Sequence, residues 1–257
     1  MPLVSMVIPT LKEELRAPLE SLGAHLSGLG AYSFEILVVD DSAADVRAAG
    51  RAAIQESSLP ANVSARLVDG PRSGKGAAVR MGIASTRGEV VFLLDVDLPA
   101  PIALVEEFLR RIDQGADVVI AERVLDREFS SPIRWVVSRG LLFIQRALVF
   151  HSREFSDTQC GFKAFRGDLI RSIASRQIVA GGMYDLEYLY AAHVMGKRIE
   201  KVRIQSLPET RESRINVWKC LRQDPLDVLR IKANGVVRGR YLSASPSLRV
   251  GDDVAGR

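Results

Sequence analysis

The sequence is poor in cysteine and histidine and has no long apolar run. Its 257 residues include only two cysteines, Cys160 and Cys220, which lie far apart. They do not make the disulfide framework of a small secreted domain, and they fit a reducing compartment. No segment reaches the about 18 apolar residues that a membrane-spanning helix needs, and the N-terminus lacks the basic and apolar regions of a signal peptide. We therefore expect a cytoplasmic protein, soluble or peripheral on the cytoplasmic face of the membrane.

Strong charge is also lacking, because the formal net charge is only +4. This mild basic excess is compatible with phosphate groups or anionic lipid. Aromatic residues make up 6% of the chain, and we find no basic aromatic surface of the kind that binds nucleic acid. Hydrophobic residues make up 47%, which is enough for a large core and argues against global disorder. We expect no nucleic-acid partner.

The first half of the chain alternates between short apolar runs and amphipathic segments. The pattern predicts strands over residues 3–8, 34–39, 64–68, 90–94 and 117–121, with helices over 15–29, 43–57, 77–85 and 102–112. This alternation is typical of an α/β fold with a mostly parallel, nucleotide-binding sheet and helices on both faces. Beyond it we predict a loop over 155–165 that leads into a short strand, a strand over 198–205, and C-terminal amphipathic helices over 133–150, 185–195 and 216–235. We expect one domain over residues 1–240 and a disordered tail over 241–257.

Two aspartates follow the fourth predicted strand. The apolar run over residues 90–94 leads directly into Asp95 and, two residues on from it, Asp97. Ligands of open α/β sheets bind at the carboxyl ends of the strands, and two carboxylates held together there repel each other unless a cation neutralises them. The pattern indicates a site for a hard divalent cation that carries a diphosphate. A solvated turn with two acids is the alternative.

Further acids and a glycine-rich loop fall at the same predicted edge. Asp40 and Asp41 end the second strand, and Glu13 follows the first. Asp40 is a candidate acceptor of hydrogen bonds from a nucleobase or ribose, whereas Asp41 or Asp45 is a candidate helix cap. The loop Arg72-Ser-Gly74-Lys75-Gly76 precedes a predicted helix, where glycines let the backbone approach a ligand and the helix N-terminus favours an anion. An ordinary loop with a solvated lysine is the alternative.

Several segments follow one another in a recognisable order. They are Val7-Ile-Pro9-Thr10, Val38-Val-Asp40-Asp41, Gly74-Lys75-Gly76, Asp95-Val-Asp97-Leu98 and Ala121-Glu-Arg123. This series resembles family-two glycosyltransferases of GT-A fold. Two later segments, Ser138-Arg139-Gly140 and Asp157-Thr-Gln-Cys-Gly-Phe-Lys163, resemble the polyprenyl-phosphate branch of that family. The second of these is similar to dolichyl-phosphate glucosyltransferases, so the resemblance implies a hexosyltransferase.

The resemblance implies a donor site for a nucleotide sugar, UDP- or GDP-linked, with glucose from UDP-glucose as the expected substrate. The residues that it places around the nucleotide sugar are Pro9, Glu13, Asp40, Lys75, Asp95, Arg211 and Arg214. Asp95 and Asp97 are expected to hold Mg²⁺ or Mn²⁺ on the diphosphate, and the two arginines to close over it. The sequence departs from the family at Lys12, where asparagine is usual, and at Ser42, where glycine is common.

On the acceptor side, the resemblance matches Arg123 and Arg139 to arginines that grip the phosphate of a polyprenyl phosphate. Together with Asp97, these two residues are expected to carry catalysis. A lipid phosphate is already anionic and nucleophilic, so no strong general base is required. This agrees with the histidines, His25, His151 and His193, which lie beside no motif. Direct attack by such an acceptor would invert the anomeric centre.

Other functions are compatible with the same residues. A soluble acceptor, such as a glycan or a secondary metabolite, would use the same donor site and need a carboxylate base, for which Asp157 is the candidate. A nucleotide-sugar-binding protein without catalysis is disfavoured by the intact Asp95, Asp97, Arg123 and Arg139. A nucleotidyltransferase is disfavoured because its glycine-rich first loop is missing.

Some remaining residues are interpreted as packing residues. Cys160 is expected to be a small buried hydrophobe, and Tyr184, Tyr188 and Tyr190 are expected to fill the core. The predicted helix over residues 133–150 combines apolar bulk with several arginines. It fits either a lipid headgroup layer or a helix packed on the sheet with its arginines in solvent.

Overall fold

The computed structural model describes residues 1–96, 100–124, 150, 155, 157–205, 217–237 and 239–242. Its strands are β1 Leu3–Thr10, β2 Ser33–Asp40, β3 Val63–Asp69, β4 Val90–Leu94, β5 Val118–Val124, β6 Phe162–Arg166 and β7 Ile199–Gln205. Its helices are α1 Arg16–Ser27, α2 Ala44–Glu56, α3 Lys75–Ala84, α4 Leu104–Asp113, α5 Gly167–Ser175, α6 Tyr184–Val194 and α7 Val217–Lys232, which continues into a π-helical turn, Ala233–Val237. The other predicted strands and helices that fall on described residues are confirmed within a few residues at each end. The short strand expected after the loop over 155–165 instead lies within its last residues, as β6, and α5 follows it directly.

The strands form one seven-stranded sheet in the order β3-β2-β1-β4-β6-β5-β7. Four neighbouring pairs are parallel, while β6 runs antiparallel to β4 and β5. The prediction of a mostly parallel α/β sheet is therefore confirmed, and the antiparallel strand β6 comes after the alternating first half of the chain. A short strand such as β6 carries no sequence signal for its direction, so its insertion between β4 and β5 could not be predicted.

Each face of the sheet carries a hydrophobic core, as the alternation predicted. On one face α1 and α4 pack their apolar stripes, and in α4 the buried residues Val105, Phe108, Leu109 and Ile112 recur at helical spacing. On the other face lie α3, α5, α6 and part of α7. All five residues of the central strand β4 are buried, which is why this strand reads as an unbroken apolar run.

The first strand passes through Pro9, where we predicted its end. It continues to Thr10, whose carbonyl accepts the amide of Asp41 on the β2 side. Backbone groups of successive strand residues point to opposite sides, so Pro9 faces the β4 side. There the pairing of β1 with β4 stops at Val7 opposite Leu93. The missing N–H of the proline therefore interrupts no ladder bond.

Some predictions fall on residues that the structure does not describe. They are most of the helix over 133–150, the residues Arg211 and Arg214, and all but the first two residues of the tail over 241–257. The division into one domain and a tail stays a prediction. Within the described part of the chain, no helix is both long enough and apolar enough to cross a bilayer.

Candidate active site

The predicted site residues gather at one edge of the sheet. Asp40 is the last residue of β2, and Asp95 follows β4, so both lie at the carboxyl ends of strands that flank β1. Because β6 is antiparallel to β4, the residues before β6 reach the same edge, where Gly161 lies next to Asp95. The antiparallel strand thus brings the segment before it, with Asp157, toward the carboxylates.

Asp95 lies between a lysine and a glycine. The Lys75 ammonium group donates to Oδ1 of Asp95 at 2.6 Å, and the Asp95 amide donates to the Gly161 carbonyl at 3.1 Å. A Cβ atom on residue 161 would overlap the Asp95 carboxylate. The glycine is therefore required by the close approach of a carboxylate to the backbone. Asp97, the other predicted metal ligand, lies outside the described residues.

Asp41, a predicted helix cap, instead shapes the glycine-rich loop. The carboxylate of Asp41 accepts hydrogen bonds from the amides of Arg72 and Gly74. The N-cap of α2 is Ala43, without a side-chain cap, so the interpretation of Asp41 as that cap is wrong, and Asp45 lies within the first turn. Asp41 instead orders the turn that presents Lys75 at the start of α3.

A second segment packs on this loop from the other side. A Cβ atom on Gly76 would lie 2.7 Å from the Gly181 carbonyl oxygen, so only glycine fits there. Gln177 donates its side-chain amide to the Gly76 carbonyl at 2.9 Å, and buried Glu187 on α6 accepts the amides of Ile178 and Val179 at 2.8 and 2.9 Å. In the described structure this glycine serves packing of two backbone segments. Sequence reasoning missed Gln177 and Glu187 because no motif contains them.

The predicted nucleoside residues lie beside the ends of β1 and β2. The Thr10 hydroxyl donates to Glu13 at 3.2 Å, and the Asp40 carboxylate, in a residue only 3% exposed, accepts the Ser42 amide at 2.9 Å. The two family departures also meet here. Lys12 has a left-handed φ of 57°, and its amide donates to the Ser42 hydroxyl at 2.8 Å. Ser42, which stands where the family commonly has glycine, thus accepts the hydrogen bond of the Lys12 amide.

Arg123, at the end of β5, is held by Asp157. Its Nε donates to Oδ2 of Asp157 at 2.6 Å and an Nη donates to Oδ1 at 3.3 Å, while Oδ1 also accepts the Gln159 amide at 2.9 Å. Burial alone would lower the pKa of Arg123 and raise that of Asp157. The hydrogen bonds and the opposite charges outweigh burial, so the pKa of Arg123 is raised and that of Asp157 is lowered. Arg139, the second predicted acceptor arginine, lies outside the described residues.

A buried ion pair beneath the site was not predicted. Lys163, only 1% exposed, donates to Oδ1 of Asp185 at 2.7 Å and to the Cys160 carbonyl at 2.6 Å. Lys163 belongs to a recognised motif, but Asp185 lies on α6 outside every motif, so the pairing had no sequence signal. The expected packing roles are confirmed, because Cys160 is fully buried and so are Tyr184, Tyr188 and Tyr190.

The described residues supply part of a metal site. They contain no cluster of three or more His, Cys, Asp or Glu side chains placed to hold a metal, and of the predicted pair only Asp95 is described. Its carboxylate is 26% exposed and already attracts the Lys75 ammonium group. Carboxylate oxygens are the donors that Mg²⁺ and Mn²⁺ prefer, so the partly exposed Asp95 carboxylate fits such an ion. Arg211 and Arg214 lie outside the described residues.

Comparison with known proteins defines the class. The fold is that of glucosyl-3-phosphoglycerate synthase from Mycobacterium tuberculosis, with a TM-score of 0.65, 18% identity, and coverage of 90% of this chain and 81% of that one. The same enzyme in complex with Mn²⁺ and UDP-glucose superposes with a TM-score of 0.64 at 18% identity, over 90% of this chain and 79% of that one. The chain therefore has the GT-A fold. Residues 5–173 match the model of Glycosyl transferase family 2, so the protein belongs to that family and is a glycosyltransferase.

Relatives of known function are similar over most of the chain. A dolichyl-phosphate beta-glucosyltransferase from Dictyostelium discoideum is 25% identical over 89% of this chain and 73% of its own length. The human dolichyl-phosphate beta-glucosyltransferase is 26% identical over 94% of this chain and 76% of its own length. An undecaprenyl-phosphate 4-deoxy-4-formamido-L-arabinose transferase from Pseudomonas aeruginosa is 28% identical over 94% of this chain and 72% of its own length.

Proposed function

We propose that the protein transfers a hexose, glucose from UDP-glucose, to a polyprenyl phosphate with inversion of the anomeric centre. Mg²⁺ or Mn²⁺ is the proposed cofactor, and the cytoplasmic face of the membrane is the proposed place of action. The observation that carries the proposal is the Arg123–Asp157 pair close to Asp95. The Asp95 carboxylate lies against Gly161, four residues after Asp157 in the same segment. This placement supports one site in which Arg123 is proposed to bind the anion and Asp95 the cation.

On the donor side, the groups match the charges of a nucleoside diphosphate. A divalent ion bound at that position neutralises the negative charge that builds on the leaving diphosphate. Asp95, with Asp97, is proposed to hold this ion, and Lys75 at the N-terminus of α3 to bind a phosphate oxygen. Pro9, Glu13 and Asp40 are proposed to line the nucleoside pocket, and Arg211 and Arg214 to close over the diphosphate.

On the acceptor side, Arg123 is proposed to bind the phosphate that attacks the sugar, together with Arg139. Asp157 fixes the plane of the Arg123 guanidinium with two hydrogen bonds, which leaves the opposite edge for an anion. The lowered pKa of Asp157 makes it a weak base, which favours an acceptor that is already ionised. Among the described residues, His25 lies in α1 and His193 in α6, away from the strand ends.

The relatives favour a lipid phosphate as the acceptor. Dolichyl phosphate and undecaprenyl phosphate, which the names of these relatives give as their substrates, are both polyprenyl phosphates. Dolichol-phosphate mannosyltransferase from Pyrococcus furiosus, 29% identical over 66% of this chain and 48% of its own length, combines in its name the same kind of phosphate with another sugar. The acceptor class is thus common to relatives whose sugars differ, and the hexose is the part of the proposal that most needs a direct test.

A parallel donor screen tests the proposal. Purified protein with Mn²⁺ and a short polyprenyl phosphate is incubated separately with UDP-glucose, UDP-galactose, UDP-N-acetylglucosamine and GDP-mannose, and lipid-linked sugar is followed by mass spectrometry. We expect product with UDP-glucose, none with Asp97→Ala, and a large loss with Arg123→Gln. Arg110→Gln, which alters an exposed arginine on α4, is the matched control and should retain activity.

The same screen separates the alternatives. Absence of lipid product from every donor would contradict the proposal. Release of UDP only with a soluble acceptor, for which 3-phosphoglycerate and simple glycans serve as probes, would show the same donor chemistry with a soluble acceptor. Saturable binding of UDP-glucose without turnover on any acceptor would indicate a nucleotide-sugar-binding protein.

A further inference from the structure

Lys163 is buried on the same face of the sheet as Asp95, one residue pair further from the edge that carries the site. In the antiparallel pairing of β4 with β6, Leu93 stands opposite Lys163, and the bond from the Asp95 amide to the Gly161 carbonyl continues the ladder. Opposite residues of an antiparallel pair, and residues two apart in one strand, share a face of the sheet. Asp95, Gly161 and Lys163 therefore lie on the same face, in one column that runs from the open edge into the core.

The ammonium group of Lys163 is fixed by two short hydrogen bonds. With 1% of the residue exposed, it donates to the Cys160 carbonyl at 2.6 Å and to the carboxylate of Asp185 at 2.7 Å. Asp185 is itself only 4% exposed and belongs to α6. A buried charge without a partner is strongly unfavourable, so each member of the pair holds the other in place. The lysine thereby ties α6 to the turn before β6.

This turn carries the backbone on which Asp95 rests. The carbonyl bound by Lys163 belongs to Cys160, and the next carbonyl, that of Gly161, accepts the Asp95 amide. The Asp95 carboxylate lies so close to Gly161 that a Cβ atom there would overlap it. A shift of the Cys160–Gly161 peptide would therefore displace both the Asp95 amide, which it binds, and the Asp95 carboxylate, which packs against it.

We propose that Lys163 is a positioning residue for the divalent cation. With Asp185 it fixes the Cys160–Gly161 peptide, and through that peptide it sets the Asp95 carboxylate in the place where the cation of the donor diphosphate binds. The inference deepens the proposed function and rests on it. It names a residue that touches neither the cation nor the nucleotide sugar.

The ion pair also has an electrostatic consequence for this site. Together, Lys163 and Asp185 are neutral, so they do not repel a divalent cation bound at Asp95. Asp185→Asn would leave the Lys163 ammonium group uncompensated in the same column. We therefore expect Asp185→Asn to weaken cation binding as well, although it keeps the bond from Lys163 to Cys160.

Direct cation binding is the decisive measurement, because activity alone would not separate positioning from general damage. Mn²⁺ is titrated into the full chain with UDP present, and free Mn²⁺ is read by electron paramagnetic resonance. The variants are Lys163→Met and Lys163→Met/Asp185→Leu, where the double variant removes both charges and leaves no buried ion. Loss of a group that orients a metal ligand costs about 10- to 100-fold in metal affinity, and we expect a loss in that range for both.

A buried carboxylate at the opposite end of the sheet provides the control. Glu35 is only 3% exposed, and its carboxylate accepts hydrogen bonds from the Ser5 hydroxyl at 2.5 Å and from the Arg87 amide at 2.8 Å. Glu35→Gln should lower the thermal midpoint and leave the affinity for Mn²⁺ unchanged. Equal weakening by Glu35→Gln would show that the effect is general and would overturn the inference.

The remaining outcomes of the binding experiment also support or overturn the inference. Should Lys163→Met fail to fold, the double variant gives the answer, and its binding of Mn²⁺ with unchanged affinity would overturn the inference. If neither variant folds, the pair serves folding itself and the specific role is wrong. If the unaltered protein neither binds Mn²⁺ nor transfers sugar, the proposed function has failed before any variant is considered.

Discussion

Gly161 lies directly against the carboxylate of Asp95, and the two residues are joined by a hydrogen bond from the Asp95 amide to the Gly161 carbonyl at 3.1 Å. The segment that leads into the antiparallel strand β6 thus contributes backbone to an edge that parallel strands otherwise build. The contact explains why a glycine stands in the middle of the segment Asp157-Thr-Gln-Cys-Gly-Phe-Lys163. It leads to the first of four predictions.

We predict that Gly161→Ala will lower sugar transfer and affinity for Mn²⁺ by at least about tenfold, as expected when a group that orients a metal ligand is disturbed. The new methyl group would occupy the position of the Asp95 carboxylate, so either the carboxylate or the backbone must move. Overpacking of this kind costs about 1–3 kcal/mol, so the free energy of unfolding should fall as well. Mass spectrometry of the product and denaturant unfolding check the two effects.

Gly182→Ala is the matched control for this substitution. A Cβ atom on Gly182 would meet no atom within 4 Å, and the residue does not have a left-handed φ. Transfer and stability should therefore stay near those of the unaltered protein. Full activity of Gly161→Ala would contradict the proposed place of Asp95 in the site.

The ion pair of Lys75 with Asp95 leads to a different expectation. Their side chains are 43% and 26% exposed, and exposed pairs contribute at most about 1 kcal/mol to stability. Lys75→Met should thus change the free energy of unfolding only slightly. It should raise the KM for UDP-glucose about tenfold, the factor that corresponds to about 1.4 kcal/mol of lost phosphate binding.

Arg16→Met provides the comparison for Lys75→Met. It breaks exposed ion pairs with Glu20 and Glu56 and should change neither quantity. An unchanged KM for UDP-glucose in Lys75→Met would mean that Lys75 pairs with Asp95 without binding the donor.

Cys160 should be inert although it lies inside the most specific motif of the chain. It is fully buried, and burial raises the pKa of its thiol, so little of the reactive thiolate forms. In a Cys220→Ser variant, we expect slow reaction with a thiol reagent in buffer and rapid reaction in concentrated guanidinium. Cys160→Ala should keep its transferase activity. Rapid labelling of the folded protein with loss of transfer would contradict the packing role.

The strand ends could be predicted because their signal is local. Five buried residues in a row, followed at once by Asp95, indicate both the strand and the edge where it stops. The same holds for Asp40 after β2. Partners from distant segments gave no such signal, since the contacts of Arg123 with Asp157 and of Lys163 with Asp185 depend on where β6 enters the sheet. Nothing in the composition of residues 162–166 indicates that position.

Asp41 illustrates a local signal that was misinterpreted. An acid shortly before a helix is the usual pattern of an N-cap, and Asp41 satisfies it. In the structure its carboxylate faces the loop after β3 instead, because β2 and β3 are neighbours and their carboxyl ends lie side by side. Whether Asp41 binds the amides at the start of α2 or those of the loop after β3 depends on the order of the strands in the sheet. Residue patterns alone do not predict that order.

The pairing of Asp157 with Arg123 makes stability depend on pH in a defined direction. Burial would raise the pKa of Asp157, but hydrogen bonds and the charge of Arg123 lower it below the ordinary value. A carboxyl group whose pKa is depressed in the folded state adds stability above its unfolded pKa of about 3.9. That stability is lost as the pH falls from there through the lower folded-state pKa. The protein therefore loses this stabilisation only at acid pH, below about pH 4.

We predict that Asp157→Asn lowers the free energy of unfolding by about 2 kcal/mol at neutral pH, the usual size for a hydrogen bond to a charged group. The difference from the unaltered protein should stay constant down to about pH 5 and shrink below about pH 4, because only the aspartate titrates. Urea unfolding at a series of pH values measures it. Asp45→Asn, which removes an exposed charge in α2, should differ by less than about 0.5 kcal/mol throughout. A difference for Asp157→Asn that grows toward acid pH would mean that the carboxyl group is protonated in the folded protein, and Asp157 would then have to be reconsidered as an acid or base.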